Sequence, residues 1–236
     1  MGAKAPPGVG DRTTVHVGLD EAGRGSLVGP LVVGAFALPD YTDTDARKLV
    51  ELGVRDSKLL SPSERRRIFG LLRQHGSWAT ASASPERIDR YVHRGKLNFL
   101  EVDLMASLVV RLGAHRVEVD ACDPDAERFG RVLRARVEEH GGDVRVLSRH
   151  KADRDLPLVG AASIVAKVTR DRAIERIRRQ SGLALGSGYP SDRTTRDCVE
   201  ALVQGGKIPR WVRRSWKTFD TLNRTPSLRP LEDFVE

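Results

Sequence analysis

The sequence predicts an α/β domain, a sheet with helices on its faces, followed by a small helical cap. Three observations carry this. Apolar stretches of strand length alternate with longer stretches whose apolar residues recur at helical spacing. Beyond about residue 185 the strand-like stretches stop and the chain reads as helical. The 236 residues suffice for one substantial core, and no internal repeat or low-complexity linker divides them.

The elements follow in order. Residues 15–20 alternate weakly and read as a first strand, and residues 31–38 are nearly all apolar, as in a strand buried on both faces. Ser61-Pro62-Ser63-Glu64 is a helix start, with Ser at the N-cap, Pro at the first helical position and Glu three residues beyond the cap, and that helix runs to about residue 74. Residues 78–83, mostly small, form a third strand. Residues 97–112 repeat apolar side chains at helical spacing and predict a core helix. A short strand at 116–120, a helix at 125–139 and a strand at 144–147 come next. Residues 161–179 form a long helix, apolar at its start and strongly basic at its end. A turn at Gly188-Tyr189-Pro190, a helix from about residue 192 and a Trp/Arg-rich segment complete the cap, with Trp211 and Trp216 pinning it to the core. The resulting division is a flexible leader at 1–13, a main domain at 14–185, the cap at 186–222 and a flexible tail at 223–236.

A net charge of +8, with 31% of residues charged, suits a polyanionic partner as well as it suits a plain basic surface. The two cysteines, Cys122 and Cys198, have neither zinc-site nor disulfide spacing, which fits a reducing cytoplasm. No apolar run is long enough to span a bilayer, and the polar, Pro/Gly-rich start is neither a secretory signal nor a transit peptide.

The chemistry concentrates in Val17-Gly18-Leu19-Asp20-Glu21-Ala22-Gly23-Arg24-Gly25, an apolar strand that runs into two acids and a permissive Gly-Arg-Gly turn. Adjacent strand residues point to opposite faces, so Asp20 and Glu21 are expected to share a site only if the strand ends there. Arg116-Val117-Glu118-Val119-Asp120 also ends in an aspartate, and Asp153 directly follows the last predicted strand. In an open α/β sheet the crevice beyond the strand ends is the usual ligand site. For any single acid, capping a helix or marking a turn is a sufficient account. Four carboxylates meeting there (Asp20, Glu21, Asp120 and Asp153) would repel one another unless cations lay between them. Hard oxygen ligands favour Mg2+ or Mn2+, and two such ions roughly 4 Å apart can activate a water and stabilise the leaving oxygen of an in-line phosphoryl displacement. Gly23-x-Gly25-x-x-x-Gly29 is not a dinucleotide site, because Pro30 leads into a strand where a helix would have to open.

Six segments stand in one family's order: Asp20-Glu21-Ala22-Gly23-Arg24-Gly25, Asp56-Ser57-Lys58, Val119-Asp120-Ala121, Lys151-Ala152-Asp153, the helix from Ala161 through Ser163 and Lys167 to Asp171, and Gly186-Ser187-Gly188-Tyr189-Pro190-Ser191-Asp192. Together they resemble type 2 ribonuclease H, ribonuclease HII, over about residues 14 to 220. The Gly186–Asp192 segment and Arg213-Arg214-Ser215-Trp216-Lys217-Thr218 look most like its archaeal branch.

The resemblance implies a ribonuclease H-like fold with a mixed central sheet. It also implies an endonuclease that cuts 5′ of ribonucleotides, in RNA/DNA hybrids and singly embedded in duplex DNA, leaving 3′-hydroxyl and 5′-phosphate ends. It makes Asp20, Glu21, Asp120 and Asp153 the ligands of two Mg2+ or Mn2+ ions, and Gly23-Arg24-Gly25 the reader of the 2′-hydroxyl, the group that separates RNA from DNA. By the same likeness Tyr189 lies against the sugar of the junction nucleotide; read without it, Tyr189 is equally a core aromatic in a tight turn. Lys58, Ser163 and Lys167 would contact phosphates. Ser163 and Lys167 are four apart and share a helix face, near an end expected to favour anions.

Ser26 and Arg193 stand where the family usually has proline, and neither change removes a catalytic group. Arg65-Arg66-Arg67 and residues 176–179 face a duplex or are solvated, and Asp171 reads as structural. In the tail, Leu231 and Phe234 resemble a degenerate sliding-clamp motif, with Leu228 in place of the leading glutamine and Val235 in place of the second aromatic. A monomer is expected. A non-catalytic nucleic-acid binder would need neither four acids at strand ends nor magnesium. Gly-Arg-Gly with Gly-Tyr-Pro speaks against a junction resolvase, which does not read a 2′-hydroxyl, and no N-terminal substrate-binding domain of the ribonuclease HIII kind is expected.

Overall fold

The computed structural model describes residues 13–55 and 60–224. The expected leader (save Thr13), the phosphate-contact candidate Lys58 and the tail from residue 225 on, with Leu231 and Phe234, lie outside the described residues. Residues 223 and 224, expected in the tail, end the last described helix instead.

Five strands form the sheet among the described residues: β1 (Val15–Ala22), β2 (Leu31–Pro39), β3 (Ser77–Ala83), β4 (Arg116–Asp120) and β5 (Arg145–Arg149), in the spatial order β3-β2-β1-β4-β5. β1 pairs antiparallel with β2 and parallel with β4; β2–β3 is antiparallel and β4–β5 parallel, so the sheet is mixed. The helices are α1 (Asp43–Glu51), α2 (Pro62–His75), α3 (Pro85–Val92), α4 (Leu97–Arg111), α5 (Ala126–Glu139), α6 (Ala152–Asp155), α7 (Pro157–Ser181), α8 (Arg193–Gln204) and α9 (Lys217–Arg224).

Alternation along β1 divides the core. Val17 and Leu19 face a cluster with Leu100, Met105 and Leu108 of α4 and Phe129 and Leu133 of α5. The opposite face is covered by α7, with Ile68, Phe69 and Leu72 of α2 and Leu49 of α1 packed around it. α7 comes unusually close to the sheet because Gly18 and Gly34 have no side chain. A Cβ on Gly34 would lie 2.5 Å from the Ala162 carbonyl oxygen, and one on Gly18 would strike the Leu158 carbonyl. A third cluster joins Leu27 and Val28 to Leu185, Val199, Val212 and Phe219, and Trp216 packs against both this cluster and the α4 side of the core. Of the two tryptophans expected to pin this segment, Trp216 bridges to the core and Trp211 packs in the third cluster only.

Several boundaries differ from expectation. β1 does not end at Asp20. Antiparallel pairing continues through Asp20↔Gly34, Glu21↔Val33 and Ala22↔Val32, whereas the parallel pairing with β4 stops at Leu19↔Val119. α7 starts at Pro157, the first helical position, rather than at 161. Ser163 and Lys167 therefore lie in its second and third turns, beyond reach of the orphan N–H groups that were to have favoured anions there. β5 is displaced from 144–147 to Arg145–Arg149. The short polar helices α1 and α3 were not anticipated, although Ser84 before Pro85 is an N-cap signal of the same kind as Ser61-Pro62.

Candidate active site

The carboxylates converge where the parallel pairing of β1 and β4 ends. Because β1 continues, Asp20 and Glu21 emerge on opposite sides of the sheet. Asp20, in phase with Gly18, faces α7; Glu21, in phase with Val17 and Leu19, faces α4. Burial pushes the Asp20 carboxyl up to about 7, and the charges of Asp120 and Asp153 push it the same way, against Lys167 and the Ser163 hydroxyl. Glu21 is held well above the usual carboxylate range by burial first, then by Asp20, Glu101 and Asp120. Asp120, at the end of β4, accepts the Ala152 N–H at 2.9 Å, which ties β4 to the start of α6 and brings Asp153 in. The turn into α6 is made by Lys151 in the left-handed region, φ 59°.

Asp20 and Asp153 are buried, and Glu21 Oε2 and Asp153 Oδ1 are shielded from water without a hydrogen-bond partner among the described residues. Buried carboxylate oxygens normally find donors, so this arrangement calls for a cation. Every candidate ligand atom is a hard oxygen, which fits Mg2+ or Mn2+ and not a soft-ligand metal. Among the described residues the acids do not close into a group of three or more His, Cys, Asp or Glu side chains arranged to hold an ion. Two are turned to backbone donors instead, Asp120 to Ala152 and Asp20 Oδ1 to the Glu21 N–H at 2.7 Å.

On the α7 side, Lys167 Nζ donates to the buried Ser163 Oγ at 2.9 Å, so this pair lies beside Asp20. On the other side the Gly-Arg-Gly turn follows β1. Gly23 has φ +83°, and a Cβ there would lie 2.8 Å from the Pro30 carbonyl oxygen. Gly25 is different: it is exposed and none of the described residues lies within 4 Å of where its Cβ would be, so its own packing among them does not require glycine. Arg24 turns inward, its Nε 2.9 Å from Glu101 Oε1 and its Nη2 donating to Asn98 Oδ1 at 2.7 Å. Asn98 in turn donates to Asp123, which also accepts from Arg128. Tyr189, half-buried, stands beside this turn because the Gly188 carbonyl accepts the N–H groups of Leu27 and Val28 at 2.8 and 3.1 Å.

Glu101 is a site component that sequence reasoning missed. It is fully buried in α4, paired with Arg24, and accepts a hydrogen bond from Cys122 Sγ at 2.9 Å. Its signal was available: a glutamate among the buried residues Leu100, Val102, Leu104 and Met105 of a core helix needs a buried partner. Asp171 is structural as expected, bridging to Arg65 at 3.2 Å, which ties α2 to α7.

A mixed sheet with carboxylates where the pairing of its central parallel strands ends fits a nuclease of the ribonuclease H class, and the comparisons with known proteins show that class. The ribonuclease HII family model matches residues 17–219. The ribonuclease HII of Cenarchaeum symbiosum is 44% identical over 202 residues, covering 85% of this chain and 94% of the relative. That of Archaeoglobus fulgidus is 39% identical over 220 residues, 93% of this chain and 100% of the relative. Among solved structures, the PCNA:RNase HII complex from Archaeoglobus fulgidus superposes with a TM-score of 0.79 at 37% identity, covering 93% of this chain and 100% of that one. Bst-RNase HIII in complex with Mn2+ shares the fold, TM-score 0.73, at 20% identity, covering 89% of this chain and 69% of that one. The chain belongs to the ribonuclease HII family, endonucleases that act on RNA/DNA hybrids.

Proposed function

We propose that this endonuclease hydrolyses the phosphodiester on the 5′ side of a ribonucleotide, both in RNA/DNA hybrids and where a single ribonucleotide is embedded in duplex DNA, leaving 3′-hydroxyl and 5′-phosphate ends. Asp20, Glu21, Asp120 and Asp153 would hold two Mg2+ or Mn2+ ions, which supply activation of a water for in-line attack and stabilisation of the departing 3′-oxygen. The observation that carries this reading is the mutual repulsion of these acids where the parallel pairing of β1 and β4 ends. Asp120 and Asp153 act on Asp20, Asp20 and Asp120 act on Glu21, and Glu21 Oε2 and Asp153 Oδ1 are buried with no donor among the described residues. Lys167 and Ser163, beside Asp20, orient the scissile phosphate, and Lys58 adds a further phosphate contact. The open space at Gly25 lets backbone come close to a ribose, so Gly23, Arg24 and Gly25 read the 2′-hydroxyl while the Arg24 side chain anchors the turn to α4. Tyr189 lies against the next sugar.

The protein would act as a cytoplasmic monomer; no described helix is long and apolar enough to cross a membrane. Leu231 and Phe234 would engage a sliding clamp, a reading supported by the Archaeoglobus fulgidus relative solved with PCNA. The test uses three matched duplexes (all-DNA, DNA with one internal ribonucleotide, and an RNA/DNA hybrid) with Mg2+, Mn2+ or EDTA. Metal-dependent cleavage 5′ of the lone ribonucleotide, with all-DNA intact, is expected; binding to all three without cleavage in either metal would contradict the proposal.

A further inference from the structure

Ser26 and Arg170 carried no role in the sequence, yet they meet in the fold. Arg170 lies on α7 three residues after Lys167 and is only 4% exposed. Its Nη2 donates to the fully buried Ser26 Oγ at 2.6 Å, and its guanidinium carbon sits 4.3 Å from the centroid of the Tyr189 ring. A Cβ on Gly23 would lie 3.3 Å from Arg170 Cγ, and one on Gly188 2.8 Å from its Nη2. One arginine side chain therefore runs past the start of the Gly-Arg-Gly turn, with its guanidinium held between the residue just after that turn and the Tyr189 ring. From the other side, Arg213, also fully buried, donates to the carbonyls of Gly29 (3.0 Å) and Arg24 (2.8 Å). Lys167, Arg170 and Tyr189 share the wall of a groove of about 810 Å³.

We propose that Arg170 is a positioning residue that couples the Gly23-Arg24-Gly25 turn to the Tyr189 ring through Ser26, and so sets the preference for a ribonucleotide followed by a deoxyribonucleotide over continuous RNA. The proposal rests on the reading above that the turn and Tyr189 contact successive sugars. If they do, the spacing between turn and ring decides which pair of sugars fits, and Arg170 fixes that spacing. A planar guanidinium can stack on a ring and donate in its own plane at once; a lysine ammonium keeps the charge but cannot do both. Ser26 provides a hydroxyl acceptor on the turn side that a proline at this position would lack.

The experiment measures kcat and KM for the parent and for Ser26→Ala, Arg170→Lys, Tyr189→Leu and the Ser26→Ala/Tyr189→Leu double variant. The two substrates are a DNA duplex with one ribonucleotide and an RNA/DNA hybrid, and thermal midpoints are recorded alongside. Ser26→Ala and Arg170→Lys are expected to lower the single-ribonucleotide to hybrid ratio of kcat/KM by roughly three- to tenfold. The loss falls in kcat on the single-ribonucleotide duplex, and Ser26→Ala adds nothing once Tyr189 is leucine. Should Arg170→Lys fail to fold, Ser26→Ala, which removes one oxygen, carries the test. Parallel losses on both substrates, or an unchanged ratio in folded Ser26→Ala while Tyr189→Leu shifts it, overturn the coupling alone. An unchanged ratio in Tyr189→Leu overturns the reading beneath it and the coupling together.

Discussion

The two ends of the site are built in opposite ways. At the mouth of β1 and β4, carboxylates crowd together with buried oxygens left without donors, and the local electrostatics oppose the native arrangement. A few residues further on, the Gly-Arg-Gly turn is braced from three sides: Glu101 and Asn98 hold the Arg24 side chain, Arg213 holds the backbone, and Arg170 holds Ser26. The first region sets like charges against one another; the second pairs its cations with acceptors from distant parts of the chain. An enzyme that must bind cations and a flexible strand gains from that division. Strain concentrated where charge will arrive favours binding, and a pre-shaped turn keeps the specificity contact from yielding.

The comparison can be broken most sharply at Asp120. Replacing it with asparagine keeps the shape and the acceptor for the Ala152 N–H but removes one charge. Cleavage is expected to fall by about 10³-fold or more, as losing a metal ligand removes several kcal/mol of transition-state stabilisation. The metal-free thermal midpoint should hold or rise as repulsion is relieved. Unfolding of that variant without metal would instead mark Asp120 as structural.

The braced region should respond in the reverse manner. Glu101→Ala leaves the Arg24 charge and the Cys122 thiol without their acceptor. We expect a loss of about 2 kcal/mol by chemical denaturation, less than for a fully enclosed pair because Arg24 is 39% exposed. Gly34→Ala pushes a methyl into the Ala162 carbonyl and should cost about 1–3 kcal/mol, with α7 forced away from β2 and activity falling as Lys167 and Ser163 move with it. Equal stability for Gly34→Ala and parent would show that α7 has slack there.

The smallest effect is on pH. The Asp20 carboxyl is raised to about 7 by burial, so between the ordinary value of 3.8 and about 7 the native state binds more protons than the unfolded chain. Metal-free stability therefore falls as pH rises through that window, and it is fully retained only below it. Asp45, Glu64, Asp123 and Asp192 are held low and act in the opposite sense, so the comparison is with Asp20→Asn. A parent midpoint in EDTA that did not fall relative to that variant from pH 4 to 7 would contradict the crowding.

The acid mouth was far more legible in the sequence than the brace. Asp20 and Asp120 end strands whose apolar patterns are local, and Asp153 follows a third strand at once, so short-range reading brought them to one edge. The α/β alternation followed from the same patterns, whereas the mixed sheet was implied by the resemblance to ribonuclease HII and not by the patterns. The continuation of β1 through Glu21 was hidden because it depends on pairing with β2, not on β1's own residues. The brace was unreadable for a related reason. Arg24 meets Glu101, Ser26 meets Arg170, and Arg24 meets Arg213 across 77, 144 and 189 positions of chain, and a buried arginine looks like a solvated one until its partners are folded around it. The early helices α1 and α3 were missed because they are short and mostly polar, with one or two buried side chains apiece.

The most direct test of the division between the two regions is the thermal midpoint at pH 7 as MgCl2 or MnCl2 is added to the parent, to Asp120→Asn and to Glu101→Ala. If the crowded acids are a cation site, the parent midpoint climbs with metal concentration, Glu101→Ala climbs from a lower start, and Asp120→Asn barely moves. Equal rises in parent and Asp120→Asn, or no rise in either, would contradict the account.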